Sequence, residues 1–344
     1  MNRRQFSVLV FIVALVGAAG WVIYQRGNSS WQGAGQTIGG NLLPDLQIND
    51  IAQITIDSGT NQLTLEKHNE IWCVRQRADY PADFSQISGL LMKLPGLKVV
   101  QREEAGPSEL PRFNLSPPGP GADSGTLLEF KDQNGKTVAS LLLGKDHMNQ
   151  PANGQGWPDG RYVIANGNNS DVSVVSETFD SVTANPSDWL DKTFFKVANP
   201  KSIAVTFPVA TNSWKLERVS ETNDWKLADT RPGEKLDSSK VDDITGSFDS
   251  PSFNDVSSDA TAPKDAVTVT VETFDGTNYV AKIWPSGDDN DSMTLAIGPA
   301  KADQKASTQN QFANWTYQIP SYTFDSLLKP RTNLLESKTA SKGN

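Results

Sequence analysis

Cysteine and histidine are nearly missing from this chain, which has one Cys and two His in 344 residues. A single cysteine excludes an internal disulfide, and two histidines cannot supply several zinc sites. Positive charge is scarce as well: 31 Lys and Arg face 40 Asp and Glu, for a net charge of −9. Phosphate backbones reward clustered Lys and Arg, so the acidic balance argues against nucleic acid as the main partner. Motifs are missing too. There is no Gly-x-Ser-x-Gly elbow, no phosphate-cradling glycine loop, no dinucleotide fingerprint and no His-Glu-x-x-His. These gaps leave room for a carboxylate-based hydrolase, whose two acidic residues leave little trace in a sequence.

One long apolar run is present. Phe6 to Tyr24 carries no charge and lies between Arg3-Arg4 and Arg26. As a helix it would nearly span a hydrocarbon core of roughly 30 Å. The paired arginines place the N-terminus in the cytoplasm and the bulk of the chain outside, as a single-pass protein of the inner (cytoplasmic) membrane. The small residues Gly17 to Gly20 offer a rival reading, a cleaved signal peptide and a soluble secreted binder. Trp21 to Tyr24 continue past them and favour an uncleaved anchor. No cysteine near position 20 permits lipoprotein processing. Beyond residue 27 the chain holds 28 basic and 40 acidic groups, net −12, and an anionic lipid surface repels such an ectodomain. Residues 28–47, with Gly33, Gly35, Gly39 and Gly40, read as a flexible linker.

The remainder repeats itself. Leu63, Leu65, Trp72, Asp83, Ile87, Leu90 and Leu94 are followed at nearly the same spacing by Leu216, Trp225, Asp237, Val241, Ile244 and Phe248. Asp ahead of apolar residues at helical intervals predicts an N-capped amphipathic helix in each copy. Pro111-Arg112-Phe113-Asn114 is echoed by Pro251-Ser252-Phe253-Asn254, and Val138 to Leu141 by Val280 to Ile283. Thr178-Phe179-Asp180-Ser181 returns as Thr323-Phe324-Asp325-Ser326, with Leu190-Asp191 and Leu335-Glu336 beyond. The expected organisation is an anchor at 1–27, a linker at 28–47, repeat units at 48–193 and 194–337, and a disordered tail at 338–344. Alternating segments such as Leu127 to Phe130 and Val267 to Val271 predict antiparallel strands, with hairpin turns at Gly135 and Gly276. The fold class expected is α+β: an N-terminal transmembrane helix, then two tandem copies of a mainly antiparallel β unit with short helices.

The order of these features resembles a bacterial family known as a domain of unknown function, numbered 4340. The residues that carry the likeness are Trp72 with Val74, the helix Phe84 to Leu94, Phe113-Asn114-Leu115 with Pro117, and Leu141 to Gly144. Thr178-Phe179 through Leu190-Asp191-Lys192 follow, leading into Ile203 and Val205. Where Asn114 stands, that family often has Gly. Its members are often encoded beside gliding-type ABC transporter components. The resemblance thus implies an envelope accessory protein, with transporter permease or ATPase subunits as partners, and it implies no catalytic residue.

Several single residues fit structural roles better than chemical ones. Cys73 and His68 lack an orienting third group, and Cys73 reads as a small buried residue. Asp288-Asp289-Asn290-Asp291 lacks the central Gly and distal Glu of a calcium loop and reads as a solvated turn. Asp180 and Asp325 suit first-turn charges better than a catalytic pair. Trp72 and Trp225, equivalent in the two copies, suggest a shared core role, which leaves Trp157 and Trp315 as the candidate contact surface. No catalytic residue, cofactor or metal ligand is assigned. The expected function is an extracytoplasmic binding or scaffolding ectodomain on a membrane anchor, accessory to an ABC-type transport complex. The alternative is a carboxylate-based, carbohydrate-active or otherwise hydrolytic envelope enzyme.

Overall fold

Alternation of apolar and polar residues is the pattern this chain carries furthest into its fold. Along Val267–Thr273 and Thr277–Pro285 successive inward positions are buried, among them Val269, Val271, Tyr279, Ala281 and Ile283. A strand sends alternate side chains to opposite faces, so one face of each segment joins the core. The computed structural model describes residues 38–336 apart from 150–153, 155, 170, 260, 288 and 300–310. The apolar run Phe6–Tyr24 and the tail 338–344 lie outside the described residues.

The described strands form two antiparallel sheets, of nine and eight strands. In the first half these are β1 (Gln53–Asp57), β2 (Gln62–His68), β3 (Ile71–Val74), β4 (Tyr80–Pro81), β5 (Val99–Glu103), β6 (Thr126–Lys131), β7 (Thr137–Asn149), β8 (Trp157–Ala165) and β9 (Val172–Val175). The second half has β10 (Pro200–Thr206), β11 (Trp214–Glu217), β12 (Lys226–Leu227), β13 (Asp255–Ser257), β14 (Val267–Thr273), β15 (Thr277–Pro285), β16 (Asn290–Pro299) and β17 (Thr316–Pro320). Strand order runs β1-β6-β7-β8-β9-β5 in the first sheet and β10-β14-β15-β16-β17-β13 in the second, which is the same path. On the other flank β10-β11-β12 matches a first strand followed by the β2–β3 hairpin.

Helix is a minor component. Among the described residues α1 (Phe84–Lys93) and α2 (Ser238–Gly246) have ten and nine residues. The expected α+β class is therefore corrected to mainly β. One short helix per half, however clear its periodicity, is outweighed by the strands around it. The transmembrane helix of that expectation falls on residues outside those described; among the described residues no helix is long and apolar enough to cross a membrane. Both short helices start where Asp stands. The Asp83 carboxylate accepts from the N–H groups of Ser85 and Gln86 at 2.8 and 3.1 Å, and that of Asp237 from Ser239 at 3.0 Å. Each satisfies helix donors that otherwise lack a partner.

The same local clasp precedes both helices. Ala82 bridges Leu190, with Asp83 N–H donating to Trp189 and Asp191 N–H to Pro81. Leu236 bridges Leu335, with Asp237 N–H donating to Leu334 and Glu336 N–H to Lys235. One echo does not survive. Pro111 to Asn114 follow β5, whereas Pro251 to Asn254 precede β13, which takes the place of β5 in strand order. Asn114 sits at φ 55°, a left-handed position that favours Asn or Gly after a helical turn.

Within the described residues the chain divides into two compact units. One contains the residues up to Gln62 with Ile87–Ala184; the other contains Leu63–Gln86 with the residues from Asn185 onward. The first has a core of fully buried Ile54, Ile56, Leu128, Phe130, Leu141 and Val163. Within the stretch read as a linker, Leu42 and Leu43 are buried, and Gly39 and Leu42 donate to Val99 and Leu97. The second unit gathers Phe194, Phe253, Phe312 and Tyr317, with Tyr80 edge-on to Phe253 and Tyr317. Arg77 joins the same unit through two hydrogen bonds, Nε at 2.6 Å and Nη2 at 2.7 Å, to the carboxylate of Asp255.

Candidate functional site

The second unit contains a cleft of about 670 Å³, within the roughly 300–1,000 Å³ usual for small-ligand sites. Three segments build it. Lys196 to Pro200 lead into β10, Arg218 to Trp225 form the turn between β11 and β12, and Ser238, Val241, Asp242 and Thr245 come from α2, with Asp249 beyond. Helical spacing explains the last group. Val241 and Ile244 are buried, and Asp242 and Thr245 follow each of them by one position.

Arg218 organises the turn. Its Nε donates to the carbonyl of Pro200 at 2.9 Å and its Nη1 to that of Glu221 at 2.7 Å. The guanidinium then lies 4.8 Å from the centroid of Trp225 and 5.6 Å from that of Phe274, within the range of a cation–π contact. Among the described residues Lys196, Asp224, Asp242 and Asp249 form no ion pair. All four are exposed and belong to the lining of the cleft.

Trp225 is the residue that sequence reasoning placed wrongly. Trp72 is 5 % exposed and pairs with Lys67 inside the β2–β3 ladder. The equivalent ladder in the second half stops at Glu217 and Lys226, so Trp225 falls just before β12 and is only half buried. A signal was present: Trp225 comes nine positions after Leu216, while Trp72 comes seven after Leu65. The longer turn releases the indole from the pleat.

The proposed contact residues lie elsewhere. Trp157 opens β8 opposite Asn149 and is 53 % exposed. Trp315 is half buried, edge-on to Tyr80 with ring centroids 4.9 Å apart. They belong to different units and form no joint surface within either. Near Trp157 the sequence reading missed an Asp–His pair on β7 and β8: His147 Nδ1 stands 2.6 Å from Asp159 Oδ1, with its ring edge-on to Tyr162. Register shifts between Leu143 and Asp146 and between His147 and Met148 bring the two together, and alternation alone does not reveal them.

His68 is exposed, with Glu66 Oε2 at 3.7 Å, while Cys73 is buried and its thiol donates to Ile71. Burial pushes the Cys73 thiol up from its ordinary range, away from the thiolate. Asp180 accepts from the Thr178 hydroxyl and Asp325 pairs with Lys329, both local contacts. Of the acidic loop, Asp288 is outside the described residues, and burial raises the Asp291 carboxyl. Among the described residues no group of three or more His, Cys, Asp and Glu is placed to hold a metal ion.

These features define a class: a mainly β protein whose two sheets share one strand order, with a polar cleft beside a short helix. The chain belongs to the family described as Domain of unknown function (DUF4340), whose model matches residues 72–271. It matches no curated protein and no solved structure.

Proposed function

We propose that this chain is a binding or scaffolding module of the cell envelope. On this reading it is held at the cytoplasmic membrane by the apolar run Phe6–Tyr24, its bulk lies outside the cytoplasm, and it is accessory to an ABC-type transport complex. The observation that carries the binding role is the cleft of the second unit, where unpaired charged side chains and a half-buried indole face solvent on a backbone fixed by strands and a capped helix. Membrane attachment is supported by the uncharged length of Phe6–Tyr24 and the arginines before it. Transporter partners are supported by the family resemblance alone.

Affinity purification of the full chain from detergent-solubilised membranes tests the proposal. The expected result is a full-length chain starting at Met1 that travels with a permease or an ATPase subunit. Recovery of the chain without either removes the transport role, and an N-terminus after Ala18 to Gly20 removes the anchor. A second reading, a carboxylate-based hydrolase, has one observation in its favour: Asp224, Asp242 and Asp249 reach the cleft from three separate places. Hydrolysis of chromogenic glycosides that is abolished by Asp242→Asn supports it, and equal rates for wild type and Asp242→Asn discard it.

A further inference from the structure

We propose that the cleft between the β11–β12 turn and α2 binds a neutral saccharide, with the indole of Trp225 as its stacking platform. This rests on the binding reading above and names the class of ligand. Charge decides against the simpler choices. An anionic ligand would meet the carboxylates of Asp224, Asp242 and Asp249, and a cationic one would meet the ammonium of Lys196. An apolar ligand would strip water from these charges and from Asn223 without replacing the lost hydrogen bonds, at a cost of several kcal/mol. A polyhydroxylated ring differs from all three. Each hydroxyl both donates and accepts, so it satisfies carboxylates and ammonium groups in the same cleft.

Sugars also carry C–H faces that need an apolar surface. Trp225 supplies the one aromatic ring in the lining, and that ring is prepared in advance. Arg218 is tied to the carbonyls of Pro200 and Glu221 and lies across one face of the indole, so the sugar would stack on the opposite face and little side-chain freedom remains to be lost on binding. Arg218 is thus a positioning residue, acting through Trp225 and not on the ligand. Asp242 enters the lining from α2, a segment separate from the turn that carries Trp225, and is the carboxylate we assign to the ring hydroxyls.

Calorimetric titration of the full chain in detergent with N,N′-diacetylchitobiose, cellobiose and maltotriose, and with trialanine as the peptide control, tests this proposal. At least one saccharide is expected to bind, with affinity falling about tenfold in Trp225→Ala, less in Trp225→Phe, and not at all in Trp157→Ala. Asp242→Asn keeps the shape of its side chain and is expected to weaken binding about threefold or more, which reads the site even if Trp225→Ala fails to fold. Saccharide binding that survives Trp225→Ala in a folded protein overturns the proposal. So does silence from all three sugars. In that case Trp225-dependent binding of trialanine overturns only the ligand class, and silence from the peptide as well overturns the binding reading with it.

Discussion

Arg331 shows how much one side chain fixes in the second unit. It is 2 % exposed, and its two terminal nitrogens each stand 2.6 Å from a carboxylate, Asp229 on one side and Glu234 on the other. The Arg331 guanidinium, through its hydrogen bond, holds the Glu234 carboxyl at about 2, against an ordinary 4.5. A carboxylate with a depressed pKa adds stability that is complete above its ordinary value and lost as pH falls toward the folded one. Thermal melts of the wild type should therefore lose stability between pH 4.5 and about 2, with a smaller loss over that window in Glu234→Gln. Equal slopes would show that Glu234 does not titrate this way. Arg331→Leu leaves the Glu234 carboxylate facing a hydrocarbon chain, and the melting temperature should fall by several degrees.

At the scale of elements, the caps and turns were the most legible part of the sequence. Asp83 and Asp237 announced both helices, and Gly135 and Gly276 stand in the hairpin turns with φ of 76° and 81°. Asp83→Ala should cost about 1 kcal/mol, read as a lower denaturation midpoint with unchanged slope. What the sequence hid depends on register. Whether a half-turn of two extra residues keeps Trp225 in the pleat or releases it is decided by where the β11–β12 ladder ends, and composition is silent on that. The fold class is hard to read for a related reason. Periodicity in Ile87, Leu90 and Leu94 is plainer in a sequence than alternation in short strands, so helix stands out beyond its share of the fold. Close approach was equally hidden. A Cβ on Gly144 would meet the carbonyl oxygen of Phe113 at 2.3 Å, so Gly144→Ala should destabilise β7 by about 1–3 kcal/mol, measurable by thermal melting.

For the whole molecule, the repeated strand order and the compact units divide the chain differently. The segment Leu63–Gln86 lies within the first copy in sequence, yet it packs in the second unit through the Arg77–Asp255 pair and the Tyr80 aromatic cluster. Burial pushes the Tyr80 hydroxyl up to about 12, in keeping with a ring enclosed by its neighbours. A fragment of residues 194–336 should therefore melt without a sharp transition, because Phe253 and Asp255 lack these partners; a sharp, cooperative melt of that fragment would contradict it. The same arrangement sets a clock on biosynthesis. Arg77 and Asp255 are 178 positions apart, and a ribosome adding about 5–20 residues per second takes roughly 10–35 s to cover that distance. For that interval Arg77 and Tyr80 lack the partners they meet in the finished chain, Asp255 for the one and Phe253 and Tyr317 for the other. Until then Tyr80, buried in the folded protein, stays uncovered on the growing chain.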